Sequence, residues 1–305
     1  MRVAHFSDLH VLALEGVETA RFLNKRFTGW VNLKLKRGHK HRSSYVRAIA
    51  QEITRAKVDH VVITGDLTNL ALEQEFRAVR DLLENELGLD AEHVSIVPGN
   101  HDLYTRGAMR ARRFTNFFQP WLVSDLPLLG VEIELGRFPF VKLRGPLAII
   151  GMSSAVPRPP LVASGELGAP QIEALARILA HDEVKRRTVV LALHHPIHNP
   201  ASLVKTWLEG LVDADALTTA LADVEDGMLL HGHLHRRIQR SLPTRAGKML
   251  AVGATSASLE HESEHRMAGF NLYTFDGAGT LESVEAHVFD PEKGSFHLES
   301  VPKLV

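Results

Sequence analysis

Short apolar runs recur along the chain, and segments with helical spacing separate most of them. Residues 2–7 (RVAHFS), 59–65 (DHVVITG), 93–98 (HVSIVP), 147–152 (LAIIGM), 188–193 (TVVLAL), 227–232 (GMLLHG) and 249–254 (MLAVGA) read as buried strands. Between them, 45–57 (YVRAIAQEITRAK) and 73–87 (EQEFRAVRDLLENEL) carry apolar residues at helical intervals, the second closed by Gly88. The same spacing predicts helices over 170–184 and 203–223. Residues 269–289 alternate like a hairpin with a turn at Asp276 to Gly279. Strands alternating with helices predict an α/β layered fold, and the β-rich close makes its sheets mixed rather than purely parallel. No repeat or low-complexity linker divides the chain, and Pro157 to Pro160 reads as a loop. The expectation is one domain over 1–305 with an insertion at about 11–47.

The residues just after each apolar run change the picture. In open α/β sheets ligands bind just beyond the carboxyl ends of strands. Asp8 and His10 come after the first run; Asp66 and then Asn69 after the second; Asn100, His101 and Asp102 after the third. His194 and His195 come after 188–193, and His231, His233 and His235 close the run at 227. Any one of these is an ordinary turn residue or a half-buried histidine. Five strand ends delivering metal-capable side chains to one edge point instead to a site. Because strand residues i and i+2 face the same side, D-L-H and H-L-H are expected to aim two ligands at one point, each with its leucine in the core. Glycines before Asp66, Asn100 and His233 are expected to let the backbone bend close to an ion.

Composition narrows the chemistry. The chain has no cysteine, which excludes disulfides, thiolate nucleophiles and Cys-ligated zinc, and it has 18 histidines. A metal held by His, Asp or Asn suits Mn, Fe, Zn or Mg. Hydrophobic residues at 45% supply a sizeable core, and a net charge of -1 argues against a polyanion binder, so no specific nucleic-acid partner is expected. The N-terminus lacks a signal-peptide pattern and no run is long enough to span a bilayer; the expectation is a cytoplasmic protein.

The motifs DLH (8–10), GDLTN (65–69), GNHD (99–102), HHP (194–196) and GHLH (232–235), in this order, resemble those of the calcineurin-like metallophosphoesterase superfamily. Within it the arrangement is most similar to class III cyclic-nucleotide phosphodiesterases, and also to UDP-diacylglucosamine pyrophosphatases. The resemblance implies a four-layer α/β/β/α sandwich with two divalent metal ions, Mn, Fe or Zn. It implies that Asp8, His10 and His235 hold one ion, that Asn100, His194 and His233 hold the other, and that Asp66 bridges them. His194, the first histidine of HHP, is then the ligand rather than His195. The implied reaction is hydrolysis of a small phosphoester by a water activated between the ions, with His101 protonating the leaving group or binding a phosphoryl oxygen and Asp102 orienting it. A scaffold that kept the fold without turnover is the contrasting class; such relatives lack ligands that this chain retains.

The sequence is less specific about substrate. Asn69, His198 and Arg106 are candidate substrate contacts, and Arg106, Arg110, Arg112 and Arg113 form a candidate basic rim. Segment 20–47 has nine Lys or Arg and no acid; Leu23, Phe27, Val31 and Leu35 make an apolar stripe beside Trp30. That stripe could pack on the core, lie on an anionic membrane surface, or accompany nucleotide phosphates. A peripheral position at the inner membrane surface therefore stands beside the cytoplasmic expectation.

Overall fold

The computed structural model describes residues 1–13, 41–103 and 106–304. Strands and helices run in chain order as β1 (Arg2–Phe6), α1 (Ser43–Ala56), β2 (His60–Ile63), α2 (Glu73–Asn85) and β3 (Val94–Ile96). Next come α3 (Arg106–Arg110), α4 (Arg113–Phe118), β4 (Val131–Ile133), β5 (Gly136–Phe138), β6 (Phe140–Arg144) and β7 (Leu147–Gly151). The chain continues with α5 (Ala169–Leu179), α6 (Asp182–Lys185), β8 (Thr188–Ala192), α7 (Leu203–Glu209), α8 (Ala214–Ala220) and β9 (Asp226–His231). It closes with β10 (Ile238–Pro243), β11 (Lys248–Gly253), β12 (Gly269–Phe275), β13 (Leu281–Asp290), β14 (Ser295–Ser300) and β15 (Lys303–Leu304).

These strands make two mixed sheets, ordered β14-β13-β12-β1-β2-β3 and β15-β10-β11-β9-β8-β7-β6, as well as a β4-β5 ribbon. β1, β2 and β3 run parallel, as do β7, β8, β9 and β11. The hairpin expected over 269–289 is β12 and β13, paired antiparallel.

Strand alternation explains the layering. Leu147, Ile149, Val190, Ala192, Met228, Leu230 and Val252 join the core shared with the first sheet. Their neighbours Ala148, Ile150, Val189, Leu191, Leu229 and Ala251 join a second core with Leu175 and Ile178 of α5, Leu217 of α8 and Leu221 at its end. Each strand of the second sheet thus serves two cores by turning successive side chains to opposite faces. On the first sheet, α1 buries Val46, Ile49, Ala50 and Ile53, at the i, i+3, i+4, i+7 spacing of one helical face. The order helix, sheet, sheet, helix is the sandwich that the resemblance implied.

Two expected helices are broken. The segment 170–184 stops at Leu179 and restarts as α6, where the His181 ring caps the new turn by accepting from the Glu183 N–H. The segment 203–223 is split between α7 and α8 because Asn199 takes the Leu211 backbone, its amide donating to the Leu211 carbonyl and its oxygen accepting from the Leu211 N–H. Leu211 also pairs with Gly165 as a strand would. Most of segment 20–47, including Leu23, Phe27, Trp30, Val31 and Leu35, lies outside the described residues. Its approaches are fixed: Val11 pairs with Thr68, and His41 pairs with Leu259. No helix among the described residues is long and apolar enough to cross a membrane.

One cation is buried between the sheets. Lys142 of β6 is 1% exposed, and its ammonium donates to the carbonyls of Ala91 (2.8 Å) and Val94. Burial, reinforced by nearby Arg144, lowers its pKa to about 7. An unfolded lysine titrates near 10.4, so between about pH 7 and 10 the unfolded chain binds more protons than the folded one. Stability is therefore expected to gain up to about 1.4 kcal/mol per pH unit from this residue as pH rises through that window. Urea titrations of the protein and of Lys142→Met across the window should show the variant losing that slope.

Candidate metal centre

The carboxyl ends of β1, β2 and β3 meet those of β8 and β9, and the side chains just beyond each strand converge there. They are not strand residues. Asp8, His10, Asp66, His233 and His235 adopt left-handed backbone, with φ of 54°, 46°, 50°, 68° and 48°. This region is unfavourable for residues with a Cβ, and such strain gathers at functional sites. The D-x-H and H-x-H spacing therefore works through left-handed turns rather than strand alternation. Leu9 is buried as expected, whereas Leu234 faces outward, 41% exposed.

Contact explains the expected glycines. A Cβ on Gly99 would stand 2.2 Å from the Asp66 amide nitrogen, and one on Gly232 2.0 Å from Ser7 Oγ and 2.4 Å from Asp8 Oδ2. Gly65 combines a φ of 92° with close packing on Gly99, whose nitrogen a Cβ would meet at 2.5 Å.

Two groups of lone pairs result. In the first, His10 Nε2 and His235 Nε2 are 3.0 Å apart, and His235 Nε2 stands 3.1 Å from Asp8 Oδ1. Asp8 Oδ1 is buried without a geometric hydrogen bond among the described residues, while Oδ2 accepts from the His233 N–H at 3.1 Å. In the second, the His194 ring donates from Nδ1 to the Thr64 carbonyl (2.7 Å), which leaves Nε2 as an acceptor. That nitrogen is 3.1 Å from Asn100 Oδ1, 3.3 Å from His233 Nδ1 and 3.5 Å from Asp66 Oδ2. His233 in turn donates from Nε2 to the Glu209 carbonyl at 2.9 Å, so its Nδ1 is also bare. Asp66 Oδ2 lies 3.9 Å from His10 Nε2 as well, and thus faces both groups. Acceptors this close repel unless a proton or cation sits among them, and the donor set of imidazoles, carboxylates and one amide oxygen fits two divalent first-row ions. The titration of the set agrees: burial opposes a charged His194, yet the Asp66 carboxylate raises its pKa to about 9. Burial opposes a charged Asp66 in turn, but His194 holds that carboxyl well below its ordinary range.

The surrounding residues have clear tasks, some different from those expected. His101 donates from Nδ1 to the Asn69 carbonyl (2.8 Å), and its backbone N–H donates to Asp66 Oδ1 (2.7 Å). Its orientation thus comes from Asn69. Asp102, expected to orient His101, instead accepts from the N–H groups of Gly99 (2.9 Å), Thr68 (2.9 Å) and Leu67 (3.2 Å) and from the Thr68 hydroxyl. It buckles the 65–69 and 99–102 turns together. Burial and then the Asp66 charge push its pKa up to about 7, against the donors that favour its ionised form. Asn69, expected at the substrate, is 5% exposed and has its side-chain amide committed to the His10 carbonyl.

His195 has both ring nitrogens engaged, by Ser154 Oγ and the Ala163 carbonyl, which leaves His194 as the candidate ligand of that pair. His231 stays at the end of β9 with Nδ1 on the Gly232 carbonyl, away from the lone-pair groups. His198 sits in an adjoining cavity. Arg106 and Arg110 are exposed on α3, but Arg112 pairs with Glu132 and Arg113 with Glu73 and the Ala71 carbonyl, so the basic rim is partly neutralised.

Sequence reasoning missed His41. Its ring packs edge-on to His10 with centroids 5.1 Å apart, and its Nδ1 meets Ser258 Oγ at 2.7 Å. Ser256, beside Ser258, donates to the Asp8 carbonyl. No motif marks these residues; only the fold brings them to the centre.

The model of the family described as calcineurin-like phosphoesterase matches residues 1–237. Among solved structures, the chain is similar to a purple acid phosphatase from seeds of yellow lupin (Lupinus luteus), at 13% identity and a TM-score of 0.60, covering 97% of this chain and 52% of that one. It therefore spans about half the length of the lupin enzyme. It is also similar to a dimetal phosphatase from Danio rerio, at 15% identity and a TM-score of 0.53, covering 89% of this chain and 91% of that one. At such identities the likeness is one of fold. No curated protein matches the chain by sequence.

Asp102→Ala would leave three backbone donors unsatisfied and is expected to cost about 3 kcal/mol or more, with loss of bound metal. Chemical denaturation and metal analysis of the purified variant check this; unchanged stability and metal content would contradict the buckle.

Proposed function

The chain belongs to the calcineurin-like phosphoesterase family, a family of phosphoric ester hydrolases with a dinuclear divalent metal centre, and from that premise we propose that it is a phosphodiesterase. The observation that carries the reading is the pair of lone-pair groups sharing Asp66 Oδ2. Asp8, His10, His235 and Asp66 would hold one ion; Asp66, Asn100, His194 and His233 would hold the other. When bound, the ions supply charge against the phosphoryl oxygens and acidify water for attack. The protein supplies geometry. Thr64 and Glu209 fix the tautomers of His194 and His233. Asn69 orients His101, which is the candidate proton donor to the leaving oxygen. The diester preference rests on the similarity of the motif set to cyclic-nucleotide phosphodiesterases.

A second reading, a lipid-linked phosphoester, has a specific observation in its favour. Leu203 and Trp207 of α7 are 87% and 57% exposed, with Val204 and Val212 beside them, and the end of this helix is the one that holds His233. A Trp-bearing apolar face next to the centre suits an acyl chain or a membrane interface.

With Mn loaded at neutral pH, Asp66→Ala is expected to lose most bound metal and nearly all hydrolysis of an aryl phosphodiester. His101→Ala should keep its metal but lose about 10²–10⁴-fold in rate on a diester with a poor leaving group. Wild-type rates for the latter would remove His101 from the mechanism. Co-sedimentation with anionic vesicles at physiological salt separates the two substrate readings: pelleting that Trp207→Ser abolishes favours the lipid-linked ester, and protein left in the supernatant favours soluble diesters.

A further inference from the structure

A cavity of about 300 Å³ adjoins the metal centre on the side of β9 and β10. At some 30 Å³ per water it has room for a phosphate-sized group and several waters. Pro196, Leu234 and Ile238 give it apolar walls, and Arg240, His198, His231 and Glu209 are among the polar residues of its lining. It shares a partition with the centre, since Pro196 lies two residues beyond His194, and Leu234 separates His233 from His235.

Arg240 is the telling residue. A guanidinium is charged at every working pH and carries five N–H donors. Here it is only partly exposed, its Nε is buried, and among the described residues it has neither a hydrogen bond nor an ion pair. Arg112, Arg113 and Arg158, by contrast, each reach a glutamate. His198 lies beside the Ser241 backbone and close enough to Arg240 to feel its charge. A half-buried cation without an acceptor is costly, and an oxyanion would satisfy several donors at once.

We propose that this cavity is an oxyanion-binding subsite in which Arg240, beside His198, receives a phosphate-class group. Two sources can supply that chemistry: a second anionic group on the substrate, or a free anion. The substrate form rests on the phosphodiesterase reading above; the free-anion form does not.

The test uses metal-loaded protein and its Arg240→Gln and His198→Gln variants. Two 4-nitrophenyl phosphodiesters are compared, one with an uncharged second arm and one whose arm ends in a phosphate. If the arm enters the cavity, the terminal phosphate lowers KM about tenfold in the wild type, and the KM ratio falls to near one in Arg240→Gln and by a smaller factor in His198→Gln. In parallel, the rise in Tm with millimolar inorganic phosphate is measured. A free-anion site gives a KM ratio near one throughout, but a Tm rise several degrees larger in the wild type than in Arg240→Gln. Equal KM ratios together with equal Tm rises in wild type and Arg240→Gln overturn the proposal. Failure to hydrolyse either ester would sink the phosphodiesterase reading while the Tm comparison still decides the cavity.

Discussion

The structure depends on a set of acceptors held closer together than their mutual repulsion favours. His10, His235 and Asp8 on one side, and His194, His233 and Asn100 on the other, point unshared electron pairs inward, and Asp66 belongs to both. Without a shared proton or cation, nothing in these side chains favours such an approach. It is imposed by two sheets whose carboxyl edges meet, and it becomes favourable once positive charge lies between them. The rest of the molecule is arranged to hold that edge. The shared core between the sheets fixes their separation, and helices on the outer faces complete the burial.

The local backbone shows how much is imposed. Five candidate ligands occupy left-handed conformations, and three glycines allow turns from different strands to touch. Such conformations persist only where surrounding structure over-determines them. Asp102 does part of this by tying two turns with its carboxylate, and Asn69 does part by holding one residue with its side chain and another with its carbonyl. These polar residues near the centre act on the backbone, at one remove from the chemistry.

The central strands and the ligand motifs were legible because both rest on local patterns. Runs such as 188–193 and 227–232 are buried on both faces and so read as continuous apolar segments. The roles of Asp102, Asn69 and His198 were not legible, because each depends on which distant backbone or cavity the side chain meets. His41 is the clearest case: its contacts with His10 and Ser258 cross 31 and 217 residues. The split between α7 and α8 has the same origin, since helical spacing runs through Gly210 and only Asn199 and Gly165 reveal why the helix stops. The short strands β4, β5, β14 and β15 lie in a separate ribbon or at sheet edges, where half-exposed residues carry little period.

The pairing of Val11 with Thr68 and of His41 with Leu259 has a consequence for how this architecture can diversify. The two crossings pin the points where the chain leaves the first ligand turn and where it returns towards α1. Asp8 and His10 lie just before the first of these anchors, and the spacing inside each ligand turn is fixed: one residue added within 8–10 or 233–235 would misplace a ligand, so variation that keeps the centre must fall outside these turns.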